Sequence, residues 1–103
     1  MQPTMYTVPP AEGLTGNIFY WKTEDGCVEV TLYVQKSGDF TTWEPITTMP
    51  AGYRPMGQKT FLAGSGNDKC CIVAIDNDGK VSLRNISEGL SKIYCQLTYL
   101  ENQ

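Results

Sequence analysis

Pro45, Pro50 and Pro55 all fall within residues 42–55, and no other stretch restricts the chain as strongly. Each proline ring fixes φ and removes a backbone donor, so neither a regular helix nor an uninterrupted ladder strand can pass through all three. The preceding residues, Glu44, Met49 and Arg54, are pushed toward extended geometry. The same stretch carries Trp43, Tyr53 and Arg54. The expected form is a stiff, extended crossing between two halves of a β-domain, with these side chains held in fixed positions. It is the first place to look for recognition.

On either side the pattern is that of β-structure. Within 27–35, Val28, Val30, Leu32 and Val34 alternate with Glu29, Thr31, Tyr33 and Gln35, the period of a strand with one buried face. Residues 18–22 are rich in strand formers on both faces, and Asp25-Gly26 predicts a hairpin turn. A short strand at 43–47, interrupted by Pro45, belongs at a sheet edge. Residues 59–63 make another strand, and 70–76, apolar on both faces, should be central. Asn77-Asp78-Gly79 turns the chain into 80–85, with Val81 and Leu83 inward. In 92–100, Ile93, Cys95, Leu97 and Tyr99 share a face. No segment has a helical period. The chain reads as all-β, a small antiparallel β-sandwich or barrel of about seven strands. Residues 1–15, with Pro3, Pro9, Pro10 and Gly13, read as an irregular lead-in or linker to one domain at 16–103.

Charge and composition exclude several functions. A net charge of −3, with eight Lys and Arg scattered along 103 residues, gives no basic patch for nucleic acid. No apolar run approaches the ~18 residues of a membrane span. Cys27, Cys70, Cys71 and Cys95 lack Cys-x-x-Cys spacing, and the chain has no histidine, which argues against zinc. Adjacent Cys70 and Cys71 point to opposite faces of a strand. Buried free thiols in a reducing compartment are the expectation, with a Cys27–Cys95 bridge as the alternative.

Catalysis finds little support. Without histidine, acid–base work would fall to Glu24, Asp25, Asp39, Asp68 and Asp78, all in turn-like polar contexts. Ser37, Ser65 and Ser91 lack a nucleophile-elbow setting. The Asp76-Asn77-Asp78-Gly79 stretch has Ala74 and Asn85 where a calcium loop needs acidic ligands, so it reads as a hairpin. The Asn85-Ile86-Ser87 sequon reads as a chance match. We read the chain as a non-enzyme without metal or cofactor.

Eight Tyr and Trp side chains remain to be explained, and several must be core. Tyr33, however, lies on the polar face of its strand, and Trp43 and Tyr53 flank the proline crossing. An exposed ring beside Asp, Asn or Arg suits a sugar or a protein contact. Trp43, Tyr53, Arg54 and Asp39 are therefore the candidate ligand-binding residues. Tyr33 among Glu29, Thr31 and Gln35, and Tyr94 among Gln96 and Thr98, form mixed faces suited to a subunit contact.

The order of these features resembles the C-terminal head domains of bacteriophage tail fibres and baseplate receptor-binding proteins. Met49-Pro50-Ala51-Gly52-Tyr53-Arg54-Pro55 is similar to a Leu-Pro-x-Gly-Tyr-Arg-Pro segment that links the halves of their small β-sandwich, and Ile75 to Val81 matches a later hairpin. The likeness spans 16–100. It implies a homotrimer at a tail tip, part of the virion, that contacts other phage tail proteins and binds a host cell-surface saccharide without membrane insertion. A purely structural trimerising or decoration domain is the alternative. Tyr53 and Arg54 stand in the matching motif, where anchoring the crossing or a trimer contact is the alternative to ligand contact. Specificity would then sit in the loops at 36–39, 63–69 and 85–91.

Overall fold

A computed structural model describes residues 5–40, 43–64, 69–84, 86 and 89–101. Among these the chain forms eight strands and no helix: β1 (Tyr6–Thr7), β2 (Leu14–Lys22), β3 (Cys27–Lys36), β4 (Trp43–Thr48), β5 (Lys59–Gly64), β6 (Cys70–Ile75), β7 (Lys80–Arg84) and β8 (Lys92–Leu100). All pairings are antiparallel, in the order β1-β2-β3-β8-β5-β6-β7-β4. The link between β8 and β5 is a single pair, Gly64↔Tyr94. The ribbon folds there into two sheets, β1-β2-β3-β8 and β5-β6-β7-β4.

The core lies between the sheets, and strand alternation decides what enters it. Val28, Val30, Leu32 and Val34 of β3 are buried, as are Ile93, Cys95, Leu97 and Tyr99 of β8. They share one cluster with Ile46, Met49, Val73, Ile75, Val81 and Leu83 from the second sheet and its connections. At about 25 cal/mol per Å² of apolar surface removed from water, this burial is the main stabilising term for so small a domain. β6 is central, flanked by β5 and β7, and β4 lies at an edge. Its register shifts between Pro45 and Thr47, where the ring cannot donate to the ladder.

Two readings of the sequence change. The stretch expected to be an irregular lead-in contributes β1 and the start of β2. Leu14 is buried, Val8 and Ala11 pack on the core, and the Ala11 amide donates to the Ile46 carbonyl at 2.6 Å. Prolines 9 and 10 hide this from any periodicity, because the contacts are with β2 and β4 far along the chain. Residues 49–55 also do not run extended throughout. The chain turns at 50–53, closed by the Tyr53 amide on the Pro50 carbonyl at 3.1 Å.

The turn is pinned from several directions. The amide of buried Met49 donates to the Gly79 carbonyl at 2.8 Å, and Arg54 Nε donates to the Met49 carbonyl at 2.8 Å. Pro55 forms an antiparallel bridge with Glu101. No disulfide joins any of the four cysteines: Cys71 and Cys95 are buried, Cys27 is half-buried, and Cys70, against expectation, is exposed. The outward face of β6 at its first residue leaves Cys70 uncovered. Thr42, loop residues 65–68, and Asn85 and Ser87 of the sequon lie outside the described residues.

Candidate functional site around Trp43

Trp43 opens β4 and points away from the core, because Ile46 takes the inward position on that strand. It is 55 % exposed. Across the ladder it stands opposite Arg84, and Pro45 stands opposite Ser82. Beside the indole the outer face hollows into a pocket of about 300 Å³ whose polar lining includes Thr48, Asp76, Lys80 and Ser82. Asp76 is held by Gln58, whose Nε2 donates to Oδ1 at 2.7 Å. The Lys80 ammonium lies 3.9 Å from Asp78, a loose and exposed pair, so it contributes little to stability and remains able to meet an acceptor. The result is an apolar plane next to hydroxyls, one carboxylate and one ammonium, an arrangement that offers both stacking and hydrogen bonds to a small polar ligand.

The other ligand-binding candidates are not brought to this pocket. Tyr53 sits beyond the opposite end of β4, which at about 3.3 Å per residue lies about 17 Å from Trp43. Its ring packs edge-on against Tyr20, with centroids 4.8 Å apart, and against Tyr6 at 6.1 Å. The Lys22 ammonium lies 4.7 Å above the same ring and 2.7 Å from Glu101 Oε1. Arg54 spends its Nε on the Met49 carbonyl. Both residues therefore hold the 49–55 turn. Asp39 is exposed in the loop after β3, next to Phe40, whose amide donates to Leu90.

Tyr33 and Tyr94 face each other across the β3–β8 ladder. Their rings meet edge-on at 6.0 Å on the outer face of the first sheet, where Tyr94 is 64 % exposed. A larger groove, about 710 Å³, runs where β5 and β8 separate, between Lys59, Thr60 and Phe61 on one side and Thr98 to Glu101 on the other. None of the four ligand-binding candidates lines it.

Sequence reasoning singled out Trp43 as a candidate but not Asp76, Lys80 and Ser82, which line the same pocket. Asp76 and Lys80 flank a tight turn, in which the Asp76 amide donates to Lys80 and the Gly79 amide to Asp76. They read simply as hairpin residues, and only the β4–β7 pairing, which sets Lys80 opposite Thr48, brings them into a pocket that Trp43 also lines.

Among the described residues no three metal-ligating side chains converge. Burial, with Cys95 and Cys70 adding a smaller repulsion, pushes the Cys71 thiol up to about 11. Burial also raises Cys95, against a hydrogen bond with Gln96. Both thiols stay protonated near neutral pH, which removes them as nucleophiles.

No protein-family model matches the chain, and no curated protein matches it in sequence.

Proposed function

We propose that this chain is a virion domain of the phage tail-fibre or baseplate receptor-binding kind, which binds a host cell-surface saccharide through the Trp43 pocket. The observation that carries the proposal is the exposed Trp43 indole on a pocket that Thr48, Asp76, Lys80 and Ser82 also line. A pyranose presents an apolar C–H face to such a ring and its hydroxyls to the carboxylate and hydroxyls alongside. The likeness of residues 49–55 and 75–81 to tail-tip head domains supports the same reading. The domain acts by binding rather than by catalysis, as a homotrimer at the tail tip alongside other tail proteins.

The test compares Trp43→Ala with Tyr53→Ala in adsorption to bacterial cells and binding to a glycan array. Trp43→Ala should lose binding while changing stability by no more than about 0.5 kcal/mol, as for other exposed positions. Tyr53→Ala should lose about 1–3 kcal/mol of stability through its aromatic pairs. Unchanged adsorption by Trp43→Ala would overturn the assignment of the site.

A second reading, a structural trimerising or decoration domain without a receptor, is favoured by the exposed Tyr33–Tyr94 pair. It predicts that substitutions on the first sheet disrupt assembly and that no substitution on the second sheet alters adsorption.

A further inference from the structure

An open sheet edge presents a row of unused backbone donors and acceptors, and this fold covers its edges unevenly. At one end of the strand order β4 is met by residues 9–11. The Ala11 amide donates to the Ile46 carbonyl at 2.6 Å, and the Thr47 hydroxyl to the Pro9 carbonyl at 2.9 Å. At the other end β1 is only two residues long. Between β5 and β8, by contrast, the ladder holds the single pair Gly64↔Tyr94, and the strands part along the groove of about 710 Å³.

The phase of the neighbouring ladders fixes which backbone groups face that groove. The Glu101 amide donates to the Gly26 carbonyl and the Lys36 amide to the Ser91 carbonyl, both at 2.9 Å. Pairing toward one neighbour recurs at every second residue of an antiparallel strand. Cys95, Leu97 and Tyr99 therefore pair with β3, while Gln96, Thr98 and Leu100 turn N–H and C=O toward β5. On the other side the Asp76 amide donates to the Lys80 carbonyl at 3.0 Å, so odd-numbered residues of β6 pair with β5. Their partners are Lys59, Phe61 and Ala63, which turns Thr60 and Leu62 toward β8. The Leu62 carbonyl indeed lies 4.0 Å from the Cys95 thiol. Among the described residues, Thr60, Leu62, Gln96, Thr98 and Leu100 have no strand partner on the groove side. All five are exposed.

We propose that this groove binds an extended polypeptide segment, which adds a strand along the free edges of β8 and β5. Main-chain hydrogen bonds supply the affinity in such strand addition. The ends of the groove set the length of the occupant. Gly64↔Tyr94 closes one end and the Pro55↔Glu101 bridge the other. They are about 23 Å apart along β8 at 3.3 Å per residue, which leaves room for about five residues between them. Charge sets its composition. Residues 60–62 and 96–100 are uncharged, and Glu101 is neutralised by Lys22 at 2.7 Å. Lys59 and Asp25 on the rim are one of each sign. The occupant is thus an uncharged strand with apolar or β-branched side chains, placed beside exposed Leu62 and Leu100. The groove is separate from the Trp43 pocket and does not depend on the saccharide reading.

The experiment titrates the intact chain with a capped Ser-Thr-Val-Thr-Val-Thr-Ser peptide and with the same peptide N-methylated at its five central residues. Amide hydrogen exchange is followed by NMR. In the free chain Gln96, Thr98 and Leu100 should exchange fast while Leu97 and Tyr99 are protected. The unmodified peptide should protect the first three. The methylated peptide should bind at least about tenfold more weakly, since it can donate no backbone hydrogen bond. Thr98→Pro removes a donor that faces the groove and none that faces β3, so it should lose the peptide and keep the fold.

Equal affinity for the two peptides would overturn the inference, because the groove would then take apolar side chains without strand pairing. Slow exchange at Gln96, Thr98 and Leu100 in the free chain would overturn it by showing the edge already paired. No binding at about 1 mM peptide would also count against it. Should Thr98→Pro fail to fold, the methylated peptide and the exchange pattern of the parent chain still decide.

Discussion

The Tyr99 hydroxyl donates a 2.6 Å hydrogen bond to the Tyr53 carbonyl, tying the last strand to the proline-rich turn. Tyr99 is buried and the bond is partly shielded from water, so removing its hydroxyl takes this donor from the carbonyl. Tyr99→Phe should therefore cost about 1–3 kcal/mol. Urea denaturation with an unchanged m-value is the measurement; a loss below about 0.3 kcal/mol would mean the turn is held without this bond.

Gly79 is the second anchor of that turn. Its φ is +89°, and a Cβ there would lie 2.5 Å from the Met49 carbonyl oxygen and 2.7 Å from Arg54 Nε. Gly38 has a similar φ of +97°, but a Cβ there would meet nothing within 4 Å. Gly79→Ala should therefore be more destabilising than Gly38→Ala. The latter bears only the left-handed backbone cost of about 1 kcal/mol, whereas the former must also displace Arg54 or the Met49 carbonyl. Thermal melts of the two variants compare them directly.

The buried thiols make stability sensitive to alkali. Cys71 titrates at about 11 in the folded chain, against an ordinary value of 9.0, and Cys95 is also raised. A raised folded value means that the unfolded chain releases its proton first. The contribution is complete below pH 9 and is lost as pH rises toward 11. Burial likewise raises Tyr99, whose contribution fades above about pH 10. Melting temperature should thus begin to fall near pH 9, and Cys71→Ala should flatten the first part of that fall. A melt equally steep with and without Cys71 would contradict the assignment.

Tyr33 and Tyr94 should form the subunit contact. The double substitution Tyr33→Ser with Tyr94→Ser is expected to convert a trimer to monomers in sedimentation at tens of micromolar. Stability of the isolated subunit should change by less than about 1 kcal/mol, since both rings are exposed in the single chain. A parent chain that sediments as a monomer would remove the trimer altogether.

Much of the fold was legible because alternation is a local signal. Val28 to Val34 and Ile93 to Tyr99 announce their buried faces without any knowledge of partners. Pro45 likewise announces an edge. What was not legible was pairing at a distance. Tyr6 and Thr7 are a strand only because Tyr20 and Phe19 lie beside them. Tyr53 looked like a ligand contact, yet it packs against Tyr20 and accepts from Tyr99, residues far from it in the chain.

Residues 42–55 show the division most clearly. Proline chemistry alone required a rigid interruption between two runs of strand, because the ring bars both helix and continuous ladder. Which of its side chains face outward was decided by tertiary structure. Ile46 enters the core and so turns Trp43 outward, while the turn at 50–53 folds Tyr53 and Arg54 back onto the body. A side chain's role depends on what the ladder and the opposite sheet place against it, and neither lies within its own neighbourhood in the chain.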